Sequence, residues 1–140
     1  MGYAITTDPV RARLVVACDP PGSREEWLRT IHELSGHQPL RSAWSVVIDA
    51  RGLTWTVGLE DVQAIRGRVR AELRPGGPVA ILSGPGAHFG AARQLATWLQ
   101  IDGLTVEVFR QESEAEAWLS VMGGPSPSED DSREPFPPKG

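Results

Sequence analysis

Ala80–Leu99 reads AILSGPGAHFGAARQLATWL and is the most informative segment of the chain for its fold. It opens with an apolar run, typical of a strand that is buried on both faces. Gly84, Gly86 and Gly90 then mark a turn, and apolar residues continue at helical spacing. A strand, a glycine turn and a helix in this order predict one strand–helix unit of an α/β domain.

The rest of the chain repeats this alternation. Short apolar segments near residues 3–7 and 12–18 predict an antiparallel hairpin, because only a tight turn separates them. Further strands are predicted at AWSVVIDA, PVAILS and TVEVFR, with helices between them and a last helix after TVEVFR. The predicted order is β-β-α-β-α-β-α-β-α. It describes a mixed, mostly parallel five-stranded sheet with an N-terminal antiparallel hairpin and four helices.

Two helix starts carry the S-x-x-E pattern of a capping box. Ser23 and Glu26 fit it before the first helix, and Ser113 and Glu116 fit it before the last one. In a capping box each of the two side chains accepts a hydrogen bond from a free backbone N–H of the first turn. Both helices are therefore predicted to begin just after these serines.

The composition divides the chain at residue 122. Residues 1–122 have the length and apolar content of one domain. Residues 123–140, GGPSPSEDDSREPFPPKG, are rich in proline, serine and acidic residues and contain little to bury. We predict a disordered acidic tail there.

Charge and cysteine content exclude several classes of function. The formal net charge is −4, whereas a general nucleic-acid-binding surface is usually basic, so we expect no nucleic-acid partner. Cys18 is the only cysteine, which excludes an internal disulfide and a cysteine-rich zinc site. We expect no metal and no cofactor. No apolar run approaches the length of a membrane span or of a signal peptide, so a cytoplasmic protein is expected.

Two motifs resemble those of a known family. VVIDARGLTW places Asp49 at the end of a buried strand, followed by Gly52, Thr54 and an aromatic residue. Phe89–Arg93, FGAAR, fits an F-G-x-A-R run at the start of a helix. With the order of elements, these motifs resemble the STAS domains, and most closely the short bacterial SpoIIAA-like proteins. The resemblance spans roughly Tyr3 to Met122.

The resemblance implies a regulatory domain but not its usual switch. In the anti-sigma-factor antagonists of this family, a serine at the start of the second helix is phosphorylated, and the added charge breaks the complex. The matching residues here are Val57–Glu60, none of which carries a hydroxyl. Thr54 and Thr56 lie too early, and Glu60 would repel a phosphate. The resemblance therefore predicts the fold without the phosphoserine switch.

The glycine turn does not fit a dinucleotide-binding fingerprint. Its spacing, G-x-G-x-x-x-G, is one residue too long, and the next strand ends in Arg110 instead of an acid. Pro85 also removes one N–H that a phosphate would need. We interpret the glycines as a tight corner, although a small anion at this helix start is left open.

Polar residues follow the third and fourth strands at their carboxyl ends, where open α/β sheets bind ligands. These strands are predicted to be parallel neighbours, so the loops should converge into one site. The candidate site consists of Asp49, Arg51, Thr54, Trp55, Thr56, Ser83, Gly84 and His88. We predict no catalytic residues among them, since Ser83 lacks the G-x-S-x-G context of a nucleophile.

A basic strip runs along the second predicted helix. Arg66, Arg70 and Arg74 recur at a spacing of four residues, which puts them on one helical face. A solvated face is one interpretation. The other is a docking surface for an acidic partner, or for the chain's own acidic segment around Glu129–Asp131.

The leading hypothesis is a non-enzymatic regulatory or interaction domain that binds a protein or a small apolar or anionic ligand at the strand-end loops. The alternative is a carrier or sensor of a small apolar or lipid-like molecule, held in a pocket between the sheet and the helices. A cavity of several hundred cubic ångströms would support the carrier, and a closed core would exclude it. A homodimer is left open.

Overall fold

The computed structural model describes residues 2–19, 23–37, 44–53, 56–73 and 75–122. Its elements follow the predicted order. They are β1 (Gly2–Asp8), β2 (Arg13–Asp19), α1 (Arg24–Ser35), β3 (Ser45–Ala50), α2 (Leu59–Glu72), β4 (Val79–Ser83), α3 (Ala87–Ile101), β5 (Val106–Phe109) and α4 (Glu112–Met122). The predicted tail, residues 123–140, lies outside the described residues.

The five strands form one sheet in the order β1-β2-β3-β4-β5. β1 and β2 are antiparallel, as the short turn between them predicts, and the other neighbouring pairs are parallel. The predicted α/β class and the mixed sheet are therefore confirmed.

The strand order decides where the helices lie. The crossovers through α1, α2 and α3 each join a strand to its next neighbour in the same direction across the sheet. Because such crossovers are right-handed, successive steps in one direction put their helices on the same face. We call it the cavity face, for the feature described below. α4 packs on the other side of the sheet, against β4 and β5, and this side is called the α4 face.

Successive strand residues point to opposite faces. Val46, Ile48 and Ala50 of β3 belong to the core on the cavity face, whereas Val47 packs into the smaller cluster on the α4 face. In β4, Ile81 and Leu82 divide in the same way. These strands are apolar on both faces because both faces are covered, as in parallel sheets generally.

The first helix start agrees with the predicted capping box in one of its two bonds, the one made by Ser23, whereas Glu26 Oε1 is buried without a hydrogen-bond partner among the described residues. The Ser23 hydroxyl oxygen accepts a hydrogen bond from the Glu26 amide at 3.2 Å, which is the bond expected of a serine N-cap. At α3 the chain turns at Gly86, whose φ of 70° lies in the left-handed region that favours glycine. The glycine turn in Ala80–Leu99 thus needs its glycine at this residue.

The predicted capping box at the last helix is wrong. α4 begins at Glu112, so Ser113 lies within its first turn, and the amides of Glu114 and Ala115 donate to the Gln111 carbonyl. The Glu116 carboxylate instead accepts a hydrogen bond from Arg13 at 2.6 Å. A partner distant in sequence competes with the local backbone for this carboxylate, and the S-x-x-E pattern does not show it.

Candidate functional site

The carboxyl ends of β3 and β4 meet, as their predicted parallel pairing requires. Asp49 pairs with Leu82, and Ala50 with Ser83. A Cβ on Gly84 would lie 3.8 Å from the Arg51 carbonyl oxygen, so the two loops that follow these strands are in contact. The predicted convergence of these two loops is therefore confirmed.

The candidate residues at this edge do not form one site. Ser83 follows the alternation of β4 onto the cavity face, where it lines a cavity together with His88. Asp49 follows the alternation of β3 onto the α4 face, where its partner Arg51 reaches Glu112 of α4 at 3.8 Å. The sheet itself separates the two groups, because neighbouring strand positions point in opposite directions.

Asp49 and Arg51 form a bidentate pair on the α4 face. The Arg51 Nε donates to Asp49 Oδ1 at 2.9 Å, and Nη2 donates to Oδ2 at 2.8 Å. The Arg51 backbone amide adds a third bond at 3.1 Å. The guanidinium lowers the pKa of Asp49 below its ordinary value, and the carboxylate raises the pKa of Arg51. Both groups are therefore charged and matched to each other near neutral pH.

A cavity of about 100 Å³ lies on the other face, between the sheet and α1–α3. Its roof is α2, which packs chiefly against α1 and α3 and less closely against the strands. Nearly the whole surface of the cavity is apolar. Prominent lining residues are Val16, Trp27, Ile31, Ile48, Val62, Ile65, Val69, Ile81, Ala92, Leu95, Leu99 and Val106.

The two hydroxyl groups among the lining residues are used by the backbone. The Ser83 hydroxyl donates to the Gly84 carbonyl at 3.0 Å, and the Thr30 hydroxyl donates to the Glu26 carbonyl at 2.8 Å. Their donors therefore point away from an occupant. His88, half-buried at the carboxyl-edge end, adds an imidazole to the lining.

The cavity is smaller than the carrier hypothesis expects. Since about 10–15 Å³ of such space accommodates one water-sized group, it has room for roughly seven to ten non-hydrogen atoms. Pockets for larger ligands measure about 300–1,000 Å³. The core therefore contains a cavity, but this cavity is too small for a long acyl chain.

Two lining residues escaped the sequence analysis. Leu53 and Val57 belong to the loop between β3 and α2, are half-buried, and border the cavity. The signal that could have found them is the recurrence of apolar residues at alternate positions 53, 55 and 57 of this loop. Thr56, predicted from the same loop, is exposed, whereas Thr54 and Trp55 lie outside the described residues.

The predicted basic strip has an intramolecular partner. Arg66 donates to both carboxylate oxygens of Asp102, at 2.9 and 2.8 Å, and its guanidinium lies 5.2 Å from the Trp98 ring centroid. The Arg70 Nε is 3.8 Å from the same carboxylate. These contacts link α2 to the end of α3. Arg74 lies outside the described residues.

Within the described ranges, no group of three or more histidine, cysteine or acidic side chains could hold a metal ion. In the same part of the chain, no helix is both long and apolar enough to cross a membrane. No family model matches the chain, and no curated protein matches it.

Proposed function

We propose that this protein is a non-enzymatic regulatory domain that senses a small apolar molecule held beneath α2. The observation that carries this proposal is the apolar cavity of about 100 Å³ between the sheet and α1–α3. Well-packed cores have few voids larger than a water molecule, because each such void forfeits dispersion contacts. A preformed apolar void of this size is therefore suited to a ligand that restores those contacts.

Size and chemistry define the ligand class. Room for roughly seven to ten non-hydrogen atoms suits a single small ring or a short branched hydrocarbon. The hydroxyls of Ser83 and Thr30 already donate to backbone carbonyls, so a strongly polar ligand would lose its bonds to water without replacement. The proposal thus keeps the small apolar ligand of the sequence hypothesis and drops the lipid-like one.

The loop between β3 and α2 borders the cavity and leads into the exposed start of α2. Leu53 and Val57 border the cavity from this loop. One end of the loop is held by Arg51 on Asp49, and the other by the Gly58 amide, which donates to Asp61 at 2.7 Å. An occupant that displaces Leu53 or Val57 would therefore move the exposed start of α2.

The proposal includes the resemblance to STAS domains. The order of elements supports it, and the segment that matches the family's phosphorylated serine, Val57–Glu60, lies at the start of α2. This segment lacks a hydroxyl, so we infer that ligand occupancy replaces phosphate as the signal read at this surface. The cytoplasmic location remains a prediction from the sequence.

A second candidate is protein binding at the same surface without a ligand. Leu59, in the first turn of α2, is 53% exposed, which is high for a large apolar side chain. A partner that covers Leu59 would bury apolar area at the point where the family resemblance places a regulatory contact.

No catalytic step is part of the proposal. The carboxylate of Asp49 is neutralised by Arg51, and the hydroxyl of Ser83 donates to a backbone carbonyl. Neither arrangement activates a base or a nucleophile, which would need a proton acceptor free to work on a substrate.

Native mass spectrometry of the protein purified from its own cells tests the sensor. We expect a bound small molecule on the wild-type chain and none on Ala92→Leu, whose larger side chain enters the cavity. The matched control is Ala71→Leu, which adds the same atoms at an exposed position of α2 and should keep the ligand.

Thermal shift with benzene, phenol, indole and cyclohexanol gives a second measurement. At a hundredfold excess over Kd, a binder should stabilise the wild-type chain by about 2.7 kcal/mol. That corresponds to a rise in Tm of roughly 8 °C, which Ala92→Leu should abolish. A wild-type mass without ligand, together with no shift from any of these compounds, would refute the sensor.

A further inference from the structure

Two arginines converge on one aromatic ring where α3 meets the end of β5. The Arg110 guanidinium carbon is 4.5 Å from the Phe89 ring centroid, and that of Arg93 is 5.9 Å from the same centroid. Phe89 is half-buried and both arginines are exposed. We call these three residues the Phe89 cluster. The ring holds the two guanidiniums near each other while their N–H groups remain accessible to solvent.

The positive charge of this cluster is not neutralised within the described chain. Most of the described arginines lie within 4.0 Å of an acidic oxygen, namely Arg11, Arg13, Arg24, Arg51, Arg66, Arg68 and Arg70. Arg93 and Arg110 have no such acidic partner among the described residues, and neither does Arg29 on α1. In a chain of net charge −4, two unneutralised guanidiniums at one ring are a local concentration of positive charge.

The longest uninterrupted acidic run of the sequence has the matching charge. Glu129, Asp130 and Asp131 are consecutive acids in residues 123–140. In the basic strip that the sequence offered as their docking surface, Arg66 and Arg70 both lie on Asp102, and Arg74 lies outside the described residues. The Phe89 cluster is therefore the better electrostatic match for this segment.

The length of the chain allows the contact. α4 begins two residues after Arg110 and has 11 residues, so it rises about 16 Å from its start to Met122. The nine residues 123–131 can span up to about 30 Å when extended. The segment is thus long enough to return along α4 to the end of β5.

We propose that the Phe89 cluster is a docking surface for an acidic peptide, and that its occupant is the chain's own segment Glu129–Asp131. The guanidiniums of Arg93 and Arg110 donate to the carboxylates, and the Phe89 ring fixes the guanidiniums in place. This contact is independent of the cavity and of its ligand.

NMR of the full-length ¹⁵N-labelled chain tests this docking. Neutralising the segment by Glu129→Gln, Asp130→Asn and Asp131→Asn changes no residue of the domain, so the fold is not at risk. We expect these changes to shift the amide signals of Phe89, Arg93 and Arg110. In the wild-type chain, raising NaCl from about 20 to 500 mM should reproduce more than half of that shift, because salt screens exposed charges.

The reciprocal variant is Arg93→Gln with Arg110→Gln, which should move the amide signals of Glu129–Asp131. The matched control is Arg29→Gln, which removes an exposed arginine elsewhere and should leave those signals in place. If neutralising the segment leaves the amide signals of the Phe89 cluster unchanged, the proposal is overturned. This holds even if added inorganic phosphate shifts these signals, because the cluster would then bind an anion but not the segment. Shifts that grow with protein concentration would overturn the intrachain contact and assign the segment to a second copy.

Discussion

The two faces of the sheet are built in different ways. Three helices cover the cavity face, and their middle helix, α2, is the roof of a void. Among the described helices, only α4 covers part of the α4 face, where Val47, Ala80 and Leu82 pack against Ala115 and Leu119. Phe109 and Trp118 extend this contact with ring centroids 5.6 Å apart. Parallel strands with apolar residues on both faces can thus support one tight face and one with internal space.

The different packing of the two faces indicates where a ligand fits in this fold. α2 rests between α1 and α3, so its height above the sheet depends on those helices as well as on its own side chains. In the described part of the chain no other helix lies beside α4 on its face, and α4 packs directly on β4 and β5. Because protein interiors hold few voids larger than a water molecule, the cavity beneath α2 marks the place where a small ligand fits.

We expect the largest loss of stability when an apolar side chain is shortened, and the loss should differ between the two faces. Leu82→Ala should lower the free energy of unfolding by about 4 kcal/mol, because it opens a new void in the tight cluster. Ile65→Ala should cost only about 2 kcal/mol, since this side chain already borders the cavity and loses fewer contacts. Urea denaturation of both variants measures the difference. Equal losses would show that the α4 face is no more tightly packed.

An intermediate effect concerns the buried arginine on the α4 face. Arg13 is buried, and its Nη1 lies 2.6 Å from Glu116 Oε2. Glu116→Ala removes the carboxylate partner of this guanidinium and leaves it the hydrogen bond from Nε to the Ser45 hydroxyl at 3.4 Å. The loss should be about 1.5 kcal/mol, a modest value because Glu116 is partly exposed to solvent. Glu114→Ala on the exposed side of α4 is the control and should change little.

The double variant Arg13→Met with Glu116→Ala sharpens this prediction. Removing both charges should recover part of the loss, because an apolar side chain suits the buried position. Additive losses in the urea experiment would mean that the two side chains stabilise the fold independently.

The smallest effect is a change in pH dependence. The Arg66 guanidinium holds the pKa of Asp102 below its ordinary value, so the folded state binds fewer protons than the unfolded state in the acid range. The stabilisation is therefore present above the ordinary aspartate pKa of about 4 and is lost as pH falls through the lower folded pKa. Asp102→Asn should flatten the acid side of a plot of Tm against pH.

Asp49→Asn is the comparison on the other face. Arg51 also lowers the pKa of Asp49, so this variant should flatten the same limb of the curve separately. Because the two pairs share no partner, the effects of the two substitutions should add. A curve for Asp102→Asn that runs parallel to the wild-type curve would contradict the role of the Arg66 pair.

Local signals predicted the elements well. The run of apolar residues before Gly84, the short turn at Pro9 and the serine at position 23 act within a few residues, and the structure confirms the strand, the hairpin and the N-cap that they predict. Ser113 and Glu116 carry an equally good local pattern, but the capping box that they predict is not formed. The carboxylate of Glu116 contacts Arg13 of β2, a partner that no local pattern reveals.

The candidate site was predicted in part. The sequence identified the edge of the sheet, because parallel neighbours end at the same edge, and it identified Ser83 and His88, which line the cavity. The sequence could not show that Asp49 and Ser83 lie on opposite faces of the sheet. That conclusion requires the register between β3 and β4 as well as the alternation within each strand. The sequence analysis also missed Leu53 and Val57, whose apolar side chains matter only once α2 is in place.

The amino-acid sequence was sufficient to predict the order of strands and helices, the hairpin and the mostly parallel pairing, because these depend on local patterning and on short connections. Three features became visible only in the folded chain. These are the face on which each polar residue lies, the ion pair of Asp102 with Arg66, and the cavity beneath α2. These features arise where elements distant in sequence pack together, and a void depends on how closely they approach.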